Sequence, residues 1–203
     1  MARLFEIDDL DSFLAGLPRM AAKQMESLPE DDILSRSPDD LLEELSILAT
    51  VTPLAISADP VDGSVAEVRG DELRHPTWDA SGGTAFEVVA VYEFGGDSRL
   101  FDYRPQTYIS VRLEADLGPR TLTLRVVVPS DGMSSGQIQA ALAQFIGRIR
   151  TMANYASSDA ERHNTRLIDE LRSAVEQRKA RIQQRRNLSG ASGGEPTLRR
   201  SFH

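Results

Sequence analysis

Residues 134–187 contain no proline and hold one helical pattern from end to end. Apolar or small side chains recur at Ile138, Leu142, Phe145, Ile149, Met152 and Ala156, in alternating steps of four and three residues. That spacing keeps a stripe on one helix face, which Ile146 and Ala153 widen, and it predicts a long helix. After a polar pause the pattern resumes at Leu167 or Ile168, Leu171, Ala174 or Val175, and Ile182, with Arg178 interrupting the seam. Within the pause, Ser158-Asp159-Ala160-Glu161 has the form of a capping box, a serine with a glutamate three residues on. Such a box either restarts a helix at an angle or lies within a continuous one; the expectation is a bend. Residues 159–187 then make an arm of roughly 40–45 Å at helical rise. So polar a helix needs a partner helix, or a fold-back onto the rest of the chain, to stay ordered.

A long helix fixes little else, so composition comes next. The 203 residues leave room for one ordinary domain and an appendage, and 40% hydrophobic content is enough for a buried core. No run of about 18 apolar residues exists to form a membrane span. The opening residues lack the basic-then-apolar order of a secretory signal. Cysteine is absent, which removes disulfides, thiolate metal sites and cysteine nucleophiles and leads us to expect a cytoplasmic location. Net charge is −8, unevenly spread: residues 1–71 carry 16 acids against 5 bases, residues 158–203 carry 10 bases against 6 acids. An acidic body with a basic arm suits head-to-tail association, or a phosphate-bearing partner at the arm alone. The plain alternative is a solvated helix that happens to be basic.

Upstream, residues 8–28 place Leu10, Phe13, Leu14, Leu17 and Met20 at helical spacing, with Pro18 expected as a kink or boundary. Ser37-Pro38-Asp39-Asp40 combines a capping hydroxyl, a first-turn proline and two carboxylates at the positive end of the helix dipole. That helix continues through Leu48 and stops before Pro53. Residues 53–83 are rich in turn signals, with a short strand expected at 64–69 and Trp78 folding back onto the core. Three stretches alternate with a period of two: residues 85–94, 107–115 and 120–128. One apolar face on each predicts an antiparallel sheet covered on one side, and residues 116–119 make the last two a hairpin. The fold class is therefore α+β: a small antiparallel sheet of three to five strands, helices on one face, and a long C-terminal helical arm. The expected domains are 1–156 globular, 157–187 a basic coiled-coil-like arm, and 188–203 a flexible tail.

Reactive constellations are scarce. His75, His163 and His203 are far apart in sequence and none has metal-ligand spacing. Gly95-Gly96-Asp97 follows a strand and opens no helix, so it reads as a hairpin turn and not a phosphate loop. No serine stands in a nucleophile elbow. The expectation is a non-enzymatic protein without cofactor or metal. Its contacts would come from the arm, at Leu167, Leu171, Val175, Arg178, Lys179, Arg181, Ile182, Arg185 and Arg186, gripping another protein or a second copy. Nucleic acid is the rival partner, but few aromatics are interleaved for base stacking.

Tyr92-Glu93-Phe94-Gly95-Gly96-Asp97, Leu100-Phe101, Arg104-Pro105, Asp159 with Asn164, and the pairs Arg178-Lys179 and Arg185-Arg186 together carry a likeness. Over residues 84–187 the chain resembles the amino-terminal module that precedes effector domains, TIR or restriction-nuclease-like, in bacterial anti-phage defence proteins. The resemblance implies a sensing or scaffolding half, with catalysis in an effector on a separate or missing segment. Two departures stand out: His163 replaces a common aromatic, and a Gly193-Gly194 stretch follows the arm in place of an effector.

Overall fold

The computed structural model describes residues 1–69, 84–129 and 134–192. Trp78, His75, His203, the turn at 130–132 and the tail beyond 192 lie outside the described residues. In chain order come β1 (Ala2–Arg3), β2 (Asp8–Asp9), α1 (Leu10–Ser27), α2 (Glu30–Ser35) and α3 (Pro38–Ala49). Then follow β3 (Ala55–Ile56), β4 (Asp62–Arg69), β5 (Thr84–Gly95), a 3-10 turn (Ser98–Phe101), β6 (Tyr103–Arg104), β7 (Glu114–Leu117), β8 (Thr121–Pro129) and α4 (Ser135–Ser192). The class is α+β, with a curled antiparallel sheet and one long C-terminal helix. No described helix is long and apolar enough to cross a membrane.

The chain divides into two compact units, each assembled from two stretches: Met1–Leu14 with Val51–His163, and Ala15–Thr50 with Asn164–His203. The division inside α4 falls between His163 and Asn164, not at 156–157. The acidic helices of Ala15–Thr50 cluster with the end of α4 in the second unit. Pro18 neither ends nor starts α1 but lies inside it. Its ring removes the hydrogen bond to the Leu14 carbonyl, the residue where one unit gives way to the other.

In the first unit the sheet runs β1-β7-β8-β5-β3, with β4 also on β5; β2 and β6 form a separate parallel pair. The expected alternation holds in β5 and β8. Val88, Ala90, Tyr92 and Phe94 are buried on one face beside Leu122, Leu124 and Val128. Their cross-strand register is fixed by Val88↔Val126, Ala90↔Leu124 and Tyr92↔Leu122. Ile146, Ile149, Met152, Ala153 and Ala156 of α4 are buried in this unit, and Arg150 lies over the Tyr92 ring at 5.4 Å. Phe94, Phe101 and Phe5 pack as an aromatic chain with centroids 5.0 and 5.8 Å apart. Phe5 holds φ = 60°, a left-handed backbone that a bulky residue rarely adopts. Backbone hydrogen bonds from Leu4 to Leu113, Phe5 to Phe101 and Ile7 to Asp102 hold it there.

Four local expectations change. Residues 107–113 read as a strand, yet only Glu114–Leu117 enters the sheet. Gly95-Gly96-Asp97 is not a hairpin turn. Gly96, at φ = 95°, lets the chain pass the Pro53 carbonyl, and Asp97 then caps the 3-10 turn by accepting from the Arg99 N–H at 3.0 Å. No new helix starts at Ser158, because α4 is one continuous helix of 58 residues. The polar pause is explained by tertiary partners and not by a cap. Ser157 Oγ accepts from Leu54 N–H at 2.9 Å and donates to Leu54 O at 3.2 Å. Asp159 Oδ2 accepts from Gln106 N–H at 2.8 Å, and its Oδ1 pairs with Arg162. Both side chains are buried, at 8% and 5% exposure. The helix also persists to Ser192, so residues 188–192, expected as tail, are helical.

Candidate interaction surface

The second unit is helical, and its ends follow from local chemistry. Ser37 Oγ accepts from the Asp40 N–H at 3.0 Å while Asp40 Oδ2 accepts from the Ser37 N–H at 3.3 Å, a complete capping box with Pro38 behind it. Those bonds from Ser37 hold the Asp40 carboxyl below the ordinary range, with Arg36 and Lys179 adding to the effect. Leu17, Ala21, Met25, Ile33, Leu41, Leu42, Leu45 and Ala49 are buried from the acidic stretch. From α4 the buried set is Leu167, Leu171, Val175 and Ile182. The apolar half of the expected contact set is therefore inside the molecule. These four side chains are not presented to solvent, because the fold-back that so polar a helix requires is supplied by the chain itself.

The basic half behaves differently. Residues 15–50 carry 8 acids against 3 bases, and residues 164–192 carry 7 bases against 3 acids. The opposite charges meet within this unit. Arg185 pairs with Glu30, Arg186 with Asp31 at 2.5 Å, and Lys179 Nζ donates to the Arg36 carbonyl. Arg36 in turn pairs with Glu44 at 2.7 Å. These pairs are open to water: Arg185 is 62% and Asp31 85% exposed. Arg181 is exposed and makes no ion pair among the described residues, as does Arg172. Arg178 is half-buried, and its Nε makes no hydrogen bond among the described residues. The structure thus separates a buried apolar seam from an exposed cationic end whose counter-charges lie on α2.

Elsewhere the polar groups are committed to structure. Arg150 donates to the carbonyls of Ser57 and Ala58. Burial pushes the Tyr92 hydroxyl above its ordinary range, against the opposing pull of Arg150. Asp97 is raised by burial and lowered further by hydrogen bonds from Arg99, ending below the ordinary range. Phe13 sits between the Arg99 guanidinium, 5.1 Å from its ring, and the stacked Tyr103 ring at 4.4 Å. Sequence patterning did not reveal Ser157, Asp159, Arg150 or Arg99 as anchors; the one signal was two buried-type polar residues interrupting the α4 stripe. A cleft of about 500 Å³ is lined by Ser57, Glu93, Arg120 and Thr121, among others. There the Ser57 hydroxyl is occupied by Asp59 O and Glu93 N–H. No group of three or more metal-ligating side chains occurs among the described residues.

The stretch from Tyr92 to Pro105, which carries the resemblance noted above, forms one knot here. Gly96 makes the close pass, Asp97 caps, and Leu100 and Phe101 are fully buried. Comparison with protein-family models, with curated proteins and with solved structures finds no match to this chain.

Proposed function

We propose that this protein is a non-enzymatic assembly module whose cationic end of α4 grips an acidic helical surface, that of a second copy in the first instance. The observation carrying this reading is the pairing of Arg185 with Glu30 and Arg186 with Asp31. It supports an acidic helical partner surface, since the same acids stand on every copy. Exposed pairs contribute at most about 1 kcal/mol each, so exchange between copies costs little. Arg172 and Arg181, which make no ion pair among the described residues, add attraction for further carboxylates. In the terms of the resemblance, the chain is the sensing or scaffolding half of a bacterial defence system, cytoplasmic, with its effector on another segment or polypeptide. Light scattering of the full chain at about 50 and 200 mM salt tests the association. The expected result is a mass that rises with concentration at low salt and falls in Arg181→Gln/Arg185→Gln/Arg186→Gln. A monomer under all conditions overturns it. Duplex binding that weakens steeply over the same salt range moves the reading to nucleic acid.

A further inference from the structure

The sequence of residues 107–115 is written as a strand, and the structure leaves most of it unpaired. Ile109, Val111 and Leu113 alternate with Ser110, Arg112 and Glu114, yet no ladder includes residues 107–113. The backbone N–H groups of Thr107, Tyr108, Ser110, Arg112 and Leu113 make no hydrogen bond to the protein among the described residues. Next to this segment lies a strand position without an occupant. β7 pairs with β8 only through Asp116↔Thr123 and Leu117↔Leu122, then leaves to pair with β1 at Glu114 and Ala115. Among the described residues nothing pairs with β8 beyond Thr123 on that side.

The two existing pairs fix what a longer hairpin would be. Continued without a slip, they place Ala115 opposite Leu124, Glu114 opposite Arg125, Leu113 opposite Val126, Arg112 opposite Val127 and Val111 opposite Val128. Ala115, Leu113 and Val111 then fall on the face where Leu122, Leu124 and Val128 are buried. Arg112 falls on the outer face, and Glu114 meets the opposite charge of Arg125. A register that satisfies both alternation and charge is what a strand selected for that position requires.

We propose that residues 107–113 are a strap with two seats: the one seen here, latched to α4, and a second in which residues 111–113 pair with residues 126–128 along the open edge of β8, in the register β7 already sets. The latch consists of Asp159 Oδ2 accepting from Gln106 N–H at 2.8 Å and Met152 Sδ accepting from Ile109 N–H at 3.3 Å. Arg162 adds a bond to the Gln106 side chain at 3.4 Å. A shift of α4 releases these bonds together, and the freed strap then zips onto β8. Closure lengthens the hairpin, empties the cleft of about 280 Å³ that the strap shares with Leu4, Phe5, Glu6 and Met152, and removes an exposed strand edge. The device thereby links the position of α4 to the state of the sheet edge, and it stands independently of what the end of α4 grips.

The cysteine-free chain makes the test direct. Arg112→Cys/Val127→Cys reports the closed seat, Ile109→Cys/Met152→Cys the latched one, and Arg112→Cys/Thr123→Cys is the out-of-register control. Under mild oxidation both reporter pairs are expected to cross-link and the control to stay reduced. Met152→Leu, which keeps the volume and removes the sulfur acceptor, should raise the Arg112→Cys/Val127→Cys yield several-fold and protect amides 111–113 from hydrogen exchange. Cross-linking of the latched pair alone, with fast exchange at 111–113 in both the parent chain and Met152→Leu, overturns the proposal.

Discussion

Ser157→Ala and Ser158→Ala, neighbours on one helix, should behave in opposite ways. Ser157 is 8% exposed, and its hydroxyl serves both backbone groups of Leu54, itself buried. Its loss strands an N–H and a carbonyl away from water, at a cost of about 1–3 kcal/mol. Alanine returns about 0.5 kcal/mol of helix propensity, leaving a net loss of about 0.5–2.5 kcal/mol. Ser158 is exposed within an unbroken helix, so its replacement should be neutral or stabilising by up to about 0.5 kcal/mol. Urea denaturation followed by far-ultraviolet circular dichroism, with equal slopes for the three proteins, measures the difference. A capping role for Ser158 would reverse the order, costing about 1 kcal/mol there. If Ser158→Ala proves the more damaging change, the clasp between α4 and Leu54 is wrong.

Gly96→Ala should fail to give a folded first unit, since a Cβ would stand 2.1 Å from the Pro53 carbonyl oxygen at a φ of 95°; an unchanged melting curve would refute the close pass. Asp97 and Asp40 both have carboxyls held below the ordinary value of 3.8. Their contributions are therefore complete above that value and are lost as pH falls through the lower folded values. Asp97→Asn should accordingly flatten the acid limb of the stability–pH curve, and an acid limb identical to that of the parent chain would show that the Arg99 bonds do not persist in solution. Replacing Glu30 and Asp31 by glutamine should cost the second unit no more than about 1 kcal/mol per pair in a double-mutant cycle with Arg185 and Arg186. A coupling of several kcal/mol would mean that these pairs are buried and fixed, contrary to their exposure.

Period-two text in residues 85–94 and 120–128, the Ser37-Pro38 helix start and the long stripe of α4 were all legible, because each depends on contacts within a few residues. Residues 107–113 carried the same text and did not become a strand, since a ladder needs a neighbour and β7 turns away to β1 after two pairs. The run from Ser157 to Glu161 looked like a helix start, with Ser158 and Glu161 as the box, because a capping box and buried anchors such as Ser157 and Asp159 use the same residue types. Only the loop backbone of Leu54 and Gln106 distinguishes them.

From the sequence alone came the α+β class, the presence of a long last helix and the separation of charge between the two ends of the chain. What it left undecided was where those charges and that apolar seam would be satisfied. Tertiary structure decided it by folding an acidic helical stretch against a basic one, which buried Leu167, Leu171, Val175 and Ile182 and left the arginines near the end of α4 at the surface. Local periodicity specifies a face, but which surface covers that face is set by parts of the chain more than a hundred residues away.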